Sequence, residues 1–243
     1  MTQNALSFVI PAYNEEDSIE ERLGTLDKIV QNSKLPYEII VVNDGSLDKT
    51  LTKAITYASR NGHVKVVSYT SNQGKGHAIR EGFMKTNSEL VVFVDSDMDI
   101  DLKLVSNYVQ ALQRGDVVIA SKWHPQSVVE ISLVRRFFSH SFNVLVRLLT
   151  GITLRDTQAG LKAIRKSAFL DVFPRLAVKR YAFDVELLAV AKLYGLKVVE
   201  MPVRLKMDDT FKLKEIWRMF LDLLGITYRL RFRGFYQKSC VSR

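Results

Sequence analysis

Three carboxylates stand at alternate positions in Val94-Asp95-Ser96-Asp97-Met98-Asp99, directly after the apolar run Leu90–Val94. Hard oxygen donors at that spacing suit Mg²⁺ or Mn²⁺. A divalent cation on Asp95, Asp97 and Asp99 would neutralise a departing diphosphate without a proton donor from the protein. The same residues could instead form a solvated acidic turn capping a helix from Asp101 onward.

Three further segments carry chemistry of a matching kind. In Phe8-Val9-Ile10-Pro11-Ala12-Tyr13-Asn14-Glu15-Glu16 an apolar run stops at proline and offers an aromatic ring, an amide and carboxylates, so a base could stack on Tyr13. In Val41-Val42-Asn43-Asp44-Gly45-Ser46-Leu47-Asp48 the run ends in Asp-Gly, and Asp44 could accept hydrogen bonds from a base or ribose; turn and cap chemistry is the simpler alternative. Asn72-Gln73-Gly74-Lys75-Gly76-His77 sets glycine and lysine at a helix start, where backbone N–H groups could meet a diphosphate and His77 could touch it. It lacks the Gly-Lys-Ser/Thr of a Walker A loop.

All four segments follow short β-rich runs: Leu6–Ile10, Glu38–Val42, Val64–Ser68 and Leu90–Val94, with a fifth run at Asp116–Ala120. Helical periodicity fills the gaps, over Glu15–Val30, Asp48–Ser59, Lys75–Lys85 and Leu102–Gln113. Such a βαβ series predicts an α/β doubly wound, mostly parallel sheet with helices on both faces. Ligands of such sheets bind beyond the carboxyl ends of the strands, which is where the four segments fall. Past residue 121 the alternation fades into helical stretches at Ser132–Leu149, Asp184–Leu193 and Lys214–Leu230, with strand-like pieces at Gly160–Ile164 and Lys197–Val203.

Charge divides the chain at the same point. Residues 1–121 hold 12 Lys and Arg against 16 Asp and Glu, whereas 122–243 hold 23 against 10. The basic half fits an anionic partner, whether a membrane, a phosphorylated lipid or a nucleic acid; a basic surface serving solubility is the plain alternative. Within it, Ser132–Leu149 and Trp217–Phe235 interleave Phe, Leu and Trp with arginines. These bands would suit helices lying in a membrane interface, or an internal packing face. No run approaches the roughly 20 uncharged apolar residues of a spanning helix. With Cys240 as the single cysteine and no basic leader at the N-terminus, the expected setting is cytoplasmic, peripheral on the cytoplasmic face of a membrane.

Taken together, IPAYNEE, VVNDGSLDKT, SNQGKGHAIREG and FVDSDMD resemble the nucleotide-binding half of the large inverting glycosyltransferase family that contains cellulose synthase and the dolichyl-phosphate sugar transferases, whose fold is called GT-A. Arg155-Asp156-Thr157-Gln158, Gly160, Lys162 and Ala182-Phe183-Asp184-Val185-Glu186-Leu187-Leu188 narrow the resemblance to the dolichyl-phosphate β-glucosyltransferases, then to the dolichyl-phosphate mannosyltransferases. It spans about residues 6 to 230. It implies one catalytic domain, with a nucleotide-sugar-binding half over 1–121 and an acceptor-binding half over 122–243 that carries the amphipathic helices. The donor, UDP-glucose or GDP-mannose, would meet Pro11, Ala12, Tyr13, Glu15, Asp44, Gly74, Lys75, Asp95 and Ser96, with Asp95 and Asp97 as the metal motif.

Asp99 departs from many relatives, which carry glutamine or a small residue there. The acceptor, a polyprenyl or dolichyl phosphate, would be held by Lys122, Arg135, Ser139, Lys206 and Lys212; Lys122 replaces an arginine common in relatives, keeping the charge and losing the bidentate fork. Asp97, Asp156 and Gln158 would act at the sugar end, Asp156 holding donor hydroxyls or acting as base. Asp184 and Glu186 are the cleft-facing residues expected of their helix. Because a lipid phosphate oxygen is already anionic near pH 7, no dedicated base is required, and in-line attack predicts inversion. Membrane residence would come from lipid contact or from a membrane-protein partner.

Two other classes fit less well. A nucleotidyltransferase would need a glycine-rich basic first loop, and Pro11–Glu16 is proline-led and acidic. A non-catalytic basic protein that binds membrane or nucleic acid leaves Asp95 and Asp97 without a purpose, and the chain has neither RRM-like aromatics nor a zinc-finger pattern, so no nucleic-acid partner is expected.

Overall fold

The structure, a computed structural model, describes residues 5–33, 35–95, 101–206 and 213–237. Its strands are β1 (Leu6–Ala12), β2 (Tyr37–Asp44), β3 (Val64–Tyr69), β4 (Leu90–Val94), β5 (Val117–Ser121), β6 (Val128–Glu130), β7 (Leu161–Arg165), β8 (Val198–Pro202) and β9 (Arg204–Lys206). Its helices are α1 (Ile19–Gln31), α2 (Thr50–Arg60), α3 (Lys75–Lys85), α4 (Val105–Ala111), α5 (Leu133–Thr150), α6 (Lys166–Phe169), α7 (Phe183–Leu193) and α8 (Leu213–Arg231).

Seven strands form one sheet in the order β3-β2-β1-β4-β7-β5-β8, and β6 pairs with β9 in a small second sheet. Every residue of β1 is buried because both faces of the sheet are covered. Side chains alternate along a strand, so Phe8 and Ile10 join a core with Leu23 and Leu26 of α1 and Tyr108 of α4. Val9, between them, joins the opposite core with Phe83 of α3, Val185 and Leu188 of α7 and Leu223 of α8.

The sequence reading underestimates one strand. β7 enters between β4 and β5 and runs antiparallel to both, pairing Leu90 with Arg165 and Val117 with Ile164. Lys162, between the apolar Leu161 and Ala163, is thereby buried in the middle of the sheet, which periodicity alone does not indicate. Strands from beyond residue 121 thus complete the sheet begun by the first half.

Helix starts also shift. Asp48 accepts from the N–H groups of Thr50 and Glu16, so α2 begins at Thr50 instead of Asp48. Glu15 is held outside α1 by its N–H bond to the Thr50 hydroxyl, 2.7 Å. α5 is capped by the Ser132 hydroxyl, which accepts from Arg135 N–H.

α5 and α8 pack on one another. Val146, Leu223 and Ile226 turn into the core, whereas Phe137 is 67% and Trp217 61% exposed. The internal-packing alternative thus holds for the inward faces of both helices, and their outward faces leave Phe137 and Trp217 exposed. Among the described residues, no helix is long and apolar enough to cross a membrane.

Candidate active site

The carboxyl ends of β1, β2 and β4 and the loop after β3 open onto one cleft of about 880 Å³. Pro11, Ala12, Tyr13, Glu15, Asp44, Gly74, Lys75 and Asp95 line it together with Lys122, Arg135, Ser139 and Gln158. The donor and acceptor residues expected from sequence are thus brought together. Phe138 and Phe142 of α5 and Ile216 and Met219 of α8 add an apolar wall. Ser96, Asp97, Asp99 and Lys212 lie outside the described residues.

The first two loops are laced to each other. Asn14 N–H donates to the Ser46 hydroxyl and Leu47 N–H to the Asn14 side-chain oxygen, while Lys49 N–H donates to Glu16. Asn14 adopts a left-handed backbone, φ 54°, which an Asn tolerates better than most residues. The result holds Tyr13 half-exposed in the lining of the cleft.

Asp44 has a more structural part than sequence suggests. Its carboxylate accepts from the Tyr69 hydroxyl, the Asn72 amide and the N–H groups of Gln73 and Gly74, all between 2.7 and 2.9 Å. Burial and the Asp44 charge push the Tyr69 pKa up. Within the 72–77 loop the N–H groups of Gln73 and Gly74 thus donate to Asp44, and that of His77 to the Lys179 carbonyl at 3.1 Å. Gly74 itself has φ 101°, and a Cβ there would sit 2.5 Å from the Lys179 carbonyl, so only glycine fits. His77 does not line the cleft; its ring meets Tyr69 edge-on at 5.2 Å.

The ammonium of Lys75 reaches 2.8 Å from Asp95 and 3.3 Å from Asp184. Burial works against its charge, but Asp184 and Asp95 outweigh this and raise its pKa. Asp184 also pairs with Lys162 at 2.9 Å. A Cβ at position 160 would lie 2.3 Å from Asp95 Oδ2, so Gly160 makes the room in which that carboxylate sits. Asp95 therefore presents a hard anionic donor at the cleft, as a divalent cation requires, with Asp97 two residues on in sequence. Among the described residues no group of three potential ligands forms.

Three expectations are corrected. Asp156 does not line the cleft: it is 3% exposed and accepts from Lys122 N–H at 2.9 Å, Gln158 N–H at 3.0 Å and the Lys122 ammonium at 2.8 Å. Burial would raise its pKa, yet Lys122 and these hydrogen bonds hold it below the ordinary aspartate value, which makes it a poor base. It positions Lys122. Lys206 is largely exposed on β9, 3.7 Å from Glu130, and does not line the cleft. Glu186 is fully buried away from it, accepting from Ala177 N–H, Val178 N–H, Arg229 and the Tyr236 hydroxyl. Asp184 does line the cleft, as does Arg218 of the Trp217–Phe235 band, and so do Arg180, Tyr181 and Asp222, which no motif frames.

Asp156 and Asp184 both have depressed pKa values, the latter through Lys162 and Lys75 against the opposing effect of burial. A carboxylate of this kind stabilises the fold above its unfolded pKa, about 3.9. That contribution disappears as pH falls through the lower folded value. Thermal midpoints should therefore hold from pH 7 to about 5 and fall steeply below about pH 4, and Asp184→Asn should flatten the acid limb; a scan of midpoint against pH checks both.

The Glycosyl transferase family 2 model matches residues 7–173. The dolichyl-phosphate β-glucosyltransferase of Drosophila melanogaster is 34% identical over 243 residues, covering 92% of this chain and 74% of its own. That of Homo sapiens is 33% identical over 246 residues, covering 93% and 75%. The crystal structure of glucosyl-3-phosphoglycerate synthase from Mycobacterium tuberculosis in complex with uridine diphosphate superposes with TM-score 0.68 at 21% identity, covering 93% of this chain and 80% of that one. The same enzyme with Mn²⁺, UDP-glucose and phosphoglyceric acid gives 0.67 at 20% identity, covering 93% and 79%. These structures share the GT-A fold with the mostly parallel sheet described above. With a family model matched over more than half its length, and two such relatives aligned along nearly all of it, the chain belongs to glycosyl transferase family 2 and is a glycosyltransferase.

Proposed function

We propose that this chain transfers glucose from UDP-glucose to dolichyl or another polyprenyl phosphate, with inversion and with the help of Mg²⁺ or Mn²⁺. The observation that carries the reading is that Tyr13 and Asp95 line one cleft with Lys122, Arg135 and the apolar Phe138, Phe142, Ile216 and Met219. The dolichyl-phosphate β-glucosyltransferases among its relatives, and the Mn²⁺ and UDP-glucose in complex with the structural neighbour, support the donor, acceptor and metal.

Tyr13 stacks on the base, while Asp44 keeps the loop beside it in shape. Asp95 with Asp97 would hold the cation, which when bound neutralises the diphosphate as it leaves. Lys122, fixed by Asp156, and Arg135 hold the acceptor phosphate in line with the anomeric carbon. Its oxygen carries negative charge already, so no side chain has to remove a proton at the moment of attack. One displacement without a covalent sugar–protein intermediate gives inversion. The apolar wall receives the first isoprene units, which no soluble phosphate acceptor would need.

Nucleoside diphosphate release, followed with UDP-glucose and GDP-mannose and a short polyprenyl phosphate, tests this directly. The expected result is UDP release from UDP-glucose that requires both the lipid phosphate and a divalent cation. GDP release from GDP-mannose, or turnover indifferent to the lipid, contradicts it.

The outward faces of α5 and α8 would rest on the cytoplasmic face of a membrane, with Phe137 and Trp217 in the interface and Arg136 at anionic headgroups. Burying one such aromatic stabilises binding by about 1.5–3 kcal/mol. The pair Phe137→Asp and Trp217→Asp should then weaken partitioning onto vesicles rich in anionic lipid by more than about tenfold. Unchanged sedimentation with such vesicles would remove the membrane face from the account.

A further inference from the structure

Four side chains form an alternating row of charge that runs from buried Lys162 out to the cleft lining. Lys162 of β7 lies 2.9 Å from Asp184 of α7, Asp184 lies 3.3 Å from Lys75 of α3, and Lys75 lies 2.8 Å from Asp95 beyond β4. The row is lopsided. Asp184 has two lysines and a side chain only 5% exposed, whereas Asp95 is 28% exposed and has Lys75 alone as its ion-pair partner among the described residues. The Lys75 ammonium reaches both Asp95 oxygens, at 2.8 and 2.9 Å, covering the edge that a metal ion would take.

We propose that Lys75 is a place-holding cation: it neutralises Asp95 before the divalent ion arrives and is displaced from that carboxylate when the ion binds, pivoting on Asp184. The inference rests on the reading of Asp95 as a metal ligand. Two cations cannot share one carboxylate edge without strong mutual repulsion, so one of the three groups has to move. Asp95 is backed by Gly160, whose Cα side leaves no space for so much as a Cβ beside Oδ2. Lysine, on a flexible four-carbon stem, is the group free to move. Its departure leaves no bare charge behind, because Asp184 keeps Lys162. The displaced ammonium, still in the cleft, is then available to the anionic donor, so metal and nucleotide should assist each other's binding.

Mn²⁺ binding, read from the electron paramagnetic resonance signal of the free ion with and without UDP, separates the possibilities. Lys75→Gln keeps a hydrogen-bond donor toward both carboxylates and removes only the charge; Lys75→Met is the second neutral variant. Each should bind Mn²⁺ alone at least about fivefold more tightly than the unaltered protein. The gain in Mn²⁺ affinity on adding UDP should shrink, while Lys75→Arg should retain it. Equal or weaker Mn²⁺ binding by both neutral variants, with binding still lost in Asp95→Asn, overturns the place-holding role and leaves the metal site standing. Mn²⁺ binding unaffected by Asp95→Asn overturns the metal reading itself, and the inference with it.

Discussion

Asp95→Asn should reduce sugar transfer by about 10²- to 10³-fold, equivalent to about 3–4 kcal/mol of transition-state stabilisation. The substitution keeps the shape of the side chain against Gly160 and removes the charge that the cation needs. Lys75 still has Asp184 at 3.3 Å, so it stays paired and the fold should survive. The loss should therefore appear in kcat and in the metal concentration required, with a thermal midpoint close to that of the unaltered protein. Initial rates of nucleoside diphosphate release across a Mn²⁺ titration measure it. Retention of more than about a third of the activity at saturating metal would mean that Asp95 does not carry the cation.

Asp156→Ala should be costly in a different way, through stability and through the acceptor. Asp156 and Lys122 are both nearly buried, and the carboxylate accepts three hydrogen bonds that hold the 122 and 158 loops together. Removing one member of such a pair costs about 3–5 kcal/mol because the other charge is left without compensation. For a chain of this size that corresponds to a fall of about 6–20 °C in the unfolding midpoint. Lys122 would also lose its fixed position, so KM for the lipid phosphate should rise while KM for the nucleotide-sugar changes little. A midpoint within a couple of degrees of the unaltered protein, together with an unchanged lipid KM, would contradict the positioning role.

The placement of the residues proposed for the donor was legible because they follow strands. Leu6–Ala12, Tyr37–Asp44 and Leu90–Val94 announce themselves as short apolar runs, and the topology rule then sends Tyr13, Asp44 and Asp95 to one edge. Lys75 was legible for the same reason, since α3 begins where its periodicity does. The placement of the residues proposed for the acceptor was only partly legible. Arg135 and Ser139 share one face of α5 through their four-residue spacing, and both reach the cleft.

The inward pairings were not legible. Lys162 reads as an interruption of a weak strand and is in fact a buried partner of Asp184. Asp156 reads as a cleft carboxylate and instead faces Lys122, 34 residues earlier in the chain. Glu186 sits two residues from Asp184, yet the 100° step of a helix turns it away to Arg229 and Tyr236. Such choices between neighbouring carboxylates depend on contacts distant in sequence, which local spacing cannot encode.

The central claim is that Asp95 and the Tyr13 loop receive one donor between them, in the cleft that Lys122 and Arg135 also line. Anomalous diffraction from crystals grown with Mn²⁺ and UDP tests it most directly. The account predicts a manganese peak within bonding distance of Asp95 and of both UDP phosphates, with the uracil against Tyr13. A peak remote from Asp95, or UDP bound outside this cleft, would contradict it.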